Sequence, residues 1–229
     1  MNFLNQKYKQ MTTTLNRRKF LQNSMLVATG AGALSLFPLP GRGNRFADDN
    51  LNLIGPREGY SPQIGILVSM LNWNRASVIR ATQGLTQPEL DFLVDAQSNT
   101  IGALLLHLAA TDVIYQDLTF YNLKDFSPEN KAKWGVPMDL GDEGRKQIKG
   151  NNLDYYLSAL HETREKTLAE FKKRDDSWFA SVDPKFFGGQ PTNNFCKWFH
   201  VCEHESNHRG QMTVIRKRLP GNKSKDNPS

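Results

Sequence analysis

The chain has 229 residues and a formal charge of +6, from 29 basic and 23 acidic side chains. That length suits one domain or one domain with a tail. Seven of the basic residues, Lys7, Lys9, Arg17, Arg18, Lys19, Arg42 and Arg45, precede the first acidic one, which leaves 22 basic against 23 acidic residues in the body. A nearly neutral body excludes the basic stripe of a nucleic-acid-binding protein.

The N-terminal excess of charge reads as an export signal. Asn16-Arg17-Arg18-Lys19-Phe20-Leu21 resembles the twin-arginine motif, and Met25 to Leu39 form a mildly apolar, Gly- and Ala-rich stretch. A membrane span needs roughly 20 apolar residues, so this run suits a signal segment better than an anchor. Residues 1–47 are therefore expected to be the signal, with cleavage open between Ala31-Gly32-Ala33 and Ala47, and residues 48–61 a polar linker. The expected location is periplasmic or otherwise extracytoplasmic, with no stable membrane span in the mature form.

The first helix follows the linker. Ile64, Leu67, Val68, Leu71, Val78 and Ile79 recur at three- and four-residue spacing. Trp73 lies off this line, which leaves it to pack against a loop or line a pocket. Residues 82–88 read as a stop and a turn. A second helix should start at Ser98 or Asn99 as N-cap, with Ile101, Leu104, Leu105, Leu108 and Ile114 on its buried face. His107 falls within that face.

Residues 120–152 read as a long irregular connector with at most one short helix, near 142–149, and long enough to cross a bundle from one end to the other. The third helix carries Leu153, Leu157, Leu160, Leu168 and Phe171 as its stripe, with His161 and Glu162 beside it. Residues 175–194 form a second connector broken by Pro184, Gly188, Gly189 and Pro191. Asn193 or Asn194 should cap the fourth helix, which Pro220-Gly221 ends. Residues 62–220 are then an all-α four-helix bundle with long inter-helix loops, followed by a polar tail over 221–229. No internal repeat and no strand pattern appears.

The fourth helix holds the densest chemistry. His200, His204 and His208 recur every four residues, so their rings stack along one face at about 6 Å of rise per step. Adjacent members can share a metal ion, whereas His200 and His208 are about 12 Å apart along the axis. A catalytic site of the zinc type takes three protein ligands and leaves a position open, so His107 from another helix is the natural completion of an adjacent pair, His200 with His204 or His204 with His208. Cys196 and Cys202 are expected to be free thiols, because six helical residues put them about 9 Å apart and on different faces.

His204-Glu205-Ser206-Asn207-His208 also satisfies the H-E-x-x-H pattern of zinc proteases, in which Glu205 would be the general base. Such enzymes take a third ligand downstream, yet beyond His208 the chain has no histidine or glutamate and only Asp226 among possible ligands. The stronger match is elsewhere. Ile101-Gly102-Ala103-Leu104-Leu105-Leu106-His107-Leu108, together with His204-Glu205-Ser206-Asn207-His208-Arg209-Gly210-Gln211, resembles the signature of the DinB-like superfamily of metal-binding four-helix bundles. The resemblance spans residues 61–219 and is most specific at those two motifs. Many members have a further histidine where this chain has Asn207.

The resemblance implies His107, His204 and His208 as ligands of a divalent metal ion, zinc or nickel in expectation, with water or substrate at the open position. It implies a small-molecule substrate, in many members a low-molecular-weight thiol joined to an electrophile by a transferase, and it allows a homodimer. A metal lowers the pKa of a thiol and so creates the nucleophile at neutral pH. Low-molecular-weight thiols are mainly cytosolic, so an exported member would instead suit a metal-dependent hydrolase, or a non-enzymatic structural or stress-related bundle. Glu205 is read as a catalytic base or ligand support, against a plain salt bridge. Arg209 is read as an ion-pair partner in the bundle or an anion-binding group, Gln211 as support for a ligand imidazole or a backbone partner, and His200 as pocket wall.

Overall fold

The computed structural model describes residues 51–221. The expected signal segment and the tail beyond residue 221 lie outside the described residues. Four long helices build the domain: α1 (Pro62–Thr82), α3 (Ile101–Phe120), α6 (Leu153–Phe171) and α8 (Asn194–Lys217). Between them lie the short helices α2 (Gln87–Leu90), α4 (Pro128–Asp139), α5 (Gly141–Gln147) and α7 (Asp176–Ala180). No helix among the described residues is long and apolar enough to cross a membrane.

Local chemistry sets the helix starts. Pro62 opens α1 after Ser61, where a missing N–H costs nothing. The side chains of Thr100, Asn152 and Asn193 each accept a hydrogen bond from a first-turn N–H of α3, α6 and α8. The cap of α3 is thus Thr100 rather than the expected Ser98 or Asn99. Thr86 and Glu89 form a reciprocal capping box that turns the expected loop after α1 into the short α2.

Pairs along the bundle give its topology. Asn74 Nδ2 donates to the Cys202 carbonyl at 3.1 Å and Arg216 Nη1 to the Ala81 carbonyl at 2.7 Å, so α1 and α8 run parallel. Gly102 lies against Tyr156, and Gln116 Nε2 bonds the Thr163 carbonyl at 2.9 Å, so α3 and α6 are also parallel. His107 meets His204 while Thr119 accepts from Trp198 Nε1, which makes α3 and α8 antiparallel. The arrangement is up-down-down-up. A parallel pair of helices about 30 Å long needs a connection that returns along the full bundle, and the segment holding α4 and α5 makes that return.

That segment corrects the sequence reading, which allowed one short helix there. Nineteen of the 20 residues of α3 are buried, so a helix apolar on every side must be covered on every side. Trp134 of α4 is buried, and Val136, Met138 and Leu140 pack against the core. Ser127 caps α4 by accepting from the Asn130 N–H, and the Asp117 carboxylate of α3 receives the Ser127 N–H at 2.8 Å. Helix α5 is the short helix expected near 142–149, whereas Pro137 inside α4, and left-handed Leu140 (φ 55°) and Gly141 (φ 63°) at the joint, hide α4 from periodicity.

The second connector also holds more than expected. It contains α7, a single turn of 3-10 helix at Phe187–Gly189, and two-residue strands β1 (Val182–Asp183) and β2 (Thr192–Asn193), paired antiparallel with Val182 opposite Asn193. Two residues are too few to show alternation in sequence. Above this end of the core, fully buried Trp198 stacks on Phe120 and meets Phe171 edge-on.

Candidate metal centre

The apolar run of α3 places His107 inside the bundle, and α8 presents His204 and His208 one turn apart on the face that meets it. His107 Nε2 lies 2.9 Å from His204 Nε2, which lies 3.0 Å from His208 Nε2. One ligand atom from each ring falls within 4.8 Å of the others, a grouping that could hold a metal ion.

The outer nitrogens decide where the protons sit. His107 Nδ1 faces the carbonyl of Pro137 at 3.1 Å, and His208 Nδ1 faces Gln211 Oε1 at 3.0 Å. Both partners are oxygen acceptors, so each Nδ1 carries the proton and each Nε2 a lone pair. His204 Nε2 sits between those two lone pairs with at most one proton to offer. Protons therefore cannot satisfy all three nitrogens, whereas a cation accepting three lone pairs can. The residues fit a divalent ion.

Their electrostatics agree. Burial, then the nearby His208, holds His107 below the usual imidazole range. Burial also lowers His208, and it lowers His204 to about 3, helped by the surrounding histidines. All three are thus neutral at neutral pH, the form that coordinates metal.

Other histidines and cysteines stand apart from this group. His200 Nδ1 lies 2.7 Å from Glu203 Oε1, and its ring packs against Phe187 and Tyr115 as a wall one turn before His204. His161 lies on α6 beside Glu165. Cys196 is an exposed free thiol and Cys202 a buried one whose Sγ accepts from Asn74 Nδ2 at 3.0 Å. Gln211 supports a ligand-type imidazole, the first of its two expected roles. Arg209 lies over the Trp73 ring and donates to Ser206 Oγ, in place of the ion pair expected for it among the described residues.

Glu205 lies apart from the imidazoles as well. It is 1% exposed, with Oε1 bonded to Arg75 Nε and Oε2 to Arg164 Nη2. Both oxygens are engaged by guanidinium groups, a poor setting for a base, and of the readings considered for Glu205 the salt bridge describes its surroundings. Arg164 and Arg75 also reach Asp112, so four buried charges meet, one from each long helix. Burial acts against the charge on Arg164, but Asp112 and Glu205 outweigh it and hold the guanidinium above its ordinary range.

Sequence reasoning missed this cluster, although a signal existed. Arg75 follows Leu71 by four, Asp112 follows Leu108 by four and Arg164 follows Leu160 by four, so each charge occupies a position that the apolar stripe reserves for the core. The Pro137 carbonyl had no such signal, being backbone on a helix the pattern did not reveal.

Two clefts border the groups that hold the outer nitrogens, Pro137 and Gln211. One, of about 540 Å³, runs between α4, α5 and α6 and includes Leu106, Trp134 and Pro137 in its wall. The other, of about 510 Å³, lies beside α8 and includes Leu104, Asn207 and Gln211.

An up-down-down-up helical bundle with a histidine of its second long helix set against an i, i+4 pair of its last defines a DinB-like protein. The model of the family described as Mycothiol-S-transferase matches residues 66–221, well over half the chain, and the chain belongs to that family. None of the curated proteins compared with it matches.

Proposed function

We propose that the protein is a metal-dependent thiol S-transferase in which His107, His204 and His208 hold one divalent ion, and that its thiol substrate is mycothiol, as the family's name states. The convergence of three neutral imidazoles on one point carries this reading. A divalent ion bound there would lower the pKa of a thiol brought to its open side and supply a thiolate at neutral pH. Zinc is the first choice for three imidazole ligands, and nickel the second.

The chain's own residues serve that chemistry by holding nitrogen lone pairs in place. Pro137 and Gln211 fix the tautomers of His107 and His208, and orientation by such partners is worth about 10–100-fold in metal affinity. Imidazoles add no charge, so the site stays cationic when loaded and favours an anionic sulfur. The thiol gives up its proton to solvent, its sulfur bonds to the electrophilic carbon, and the leaving group departs with the electron pair of the broken bond.

Incubating the zinc-loaded protein with mycothiol and an electrophile such as monochlorobimane should yield the S-conjugate, detected by mass spectrometry. Conjugate at the uncatalysed rate across a panel of thiols would overturn the proposal. The segment Asn16 to Leu21 supports a second reading, export by the twin-arginine route and hydrolysis by water in place of a thiol. Cell fractionation tests it, since a cytosolic protein excludes it. Engagement of both Glu205 oxygens by arginines speaks against the zinc-protease reading, which needs that carboxylate beside the reacting water.

A further inference from the structure

We propose that the four-charge cluster of Arg75, Asp112, Arg164 and Glu205 is a positioning device that sets the rotation of α8 and its distance from α3, and so brings the three imidazoles to one point. The inference rests on the reading of those histidines as metal ligands.

The two acidic members sit on the helices that carry the histidines. Asp112 lies on α3, five residues beyond His107, and Glu205 lies on α8 between His204 and His208. Both arginines come from helices that carry no ligand. Arg164 of α6 grips Asp112 with Nε and Nη2 at 3.0 and 3.2 Å, and its Nη2 also reaches Glu205 Oε2 at 3.1 Å. Arg75 of α1 bonds Glu205 Oε1 through Nε, the Leu160 carbonyl through Nη1 at 2.5 Å, and Asp112 Oδ2 through Nη2 at 3.4 Å. Each carboxylate is thus held by two guanidinium groups, and each guanidinium joins the two ligand-bearing helices.

All four residues are at most 4% exposed, and their charges cancel. Replacing a buried ion pair with apolar groups of similar volume is often neutral or stabilising. What apolar contacts do not supply is a fixed register, because they tolerate sliding whereas hydrogen bonds weaken steeply with distance and angle. Shifting α8 by one residue would turn it about 100° and carry His204 and His208 away from His107. Glu205 is about 100° around the helix from His204, so it acts through the helix rather than by touching a ligand. Arg164 Nη1 is buried with no hydrogen-bond partner among the described residues. A cluster kept for stability alone gains nothing from that arrangement.

The test compares the wild type with the double variant Arg75→Met/Glu205→Met, which leaves the neutral Arg164–Asp112 pair in the core. Zinc affinity is measured by chelator competition, the cobalt-substituted visible spectrum reports ligand geometry, and thermal unfolding of the metal-free protein reports the fold. The expected result is a melting temperature close to wild type, zinc affinity at least tenfold weaker and a shifted cobalt spectrum. Unchanged zinc affinity and cobalt spectrum in the folded double variant would overturn the inference while leaving the metal site intact. Should that variant fail to fold, Arg75→Lys carries the same readings, since it keeps the charge but replaces the planar fork, whose three nitrogens each meet one acceptor, with a single nitrogen. A wild type that takes up neither zinc nor cobalt would bring down the ligand reading itself, and this inference with it.

Discussion

Gln211 Oε1 lies 3.0 Å from His208 Nδ1, one turn further along the same helix. The contact makes Gln211 an acceptor for the imidazole N–H and points the lone pair of Nε2 at His204. Gln211→Leu keeps the helix and a similar volume but removes the acceptor. Zinc affinity should fall about 10–100-fold with little change in melting temperature, since Gln211 is exposed. Equal affinity by chelator competition would remove Gln211 from the site.

Gly102 of α3 lies directly against the ring of Tyr156 of α6. A Cβ there would come within 2.7 Å of the Tyr156 ring, and Tyr156 is fully buried. Gly102→Ala therefore overpacks the core despite its better helix propensity, and should cost about 1–3 kcal/mol, read by urea unfolding. A stabilised variant would mean that α6 yields easily.

The buried charges make a different prediction. Arg164→Met leaves Asp112 and Glu205 with Arg75 alone, a net negative charge in the core. The loss should be about 3–5 kcal/mol, well above that of Arg75→Met/Glu205→Met, which removes one charge of each sign. Similar losses in the two variants would show that the charges do not act as a unit.

The lowered histidines set the acid behaviour of the metal-free protein. Folded His204 titrates near 3 and His107 and His208 below their ordinary value, while in the unfolded chain all three titrate near 6.5. Between those values the unfolded chain binds more protons, so stability is full above about pH 6.5 and falls as pH drops towards 3. His204→Gln should flatten the slope of unfolding free energy against pH between 6.5 and 4. An unchanged slope would assign the acid lability to other groups.

Much of this was legible in the sequence because periodicity and chemistry coincide in α3 and α8. The run around His107 and the ladder ending at His208 carry both fold and site, and the four long helices follow from their stripes. Helix α4 was hidden because Pro137 and the left-handed turn at Leu140 and Gly141 break the pattern, although a helix as apolar all round as α3 requires a cover. Partner choice was out of reach for a different reason. Glu205, one residue from His204, is committed to arginines 130 and 41 positions away, and spacing along one helix says nothing about which charges the other helices bring.

The central claim is that His107, His204 and His208 form one site across two helices. Metal content by elemental analysis, on untagged protein purified without added metal, tests it most directly in the wild type and in His107→Ala. The account predicts about one ion per chain in the wild type, largely lost in the variant. Equal metal in the two proteins, or none in the wild type, would contradict it.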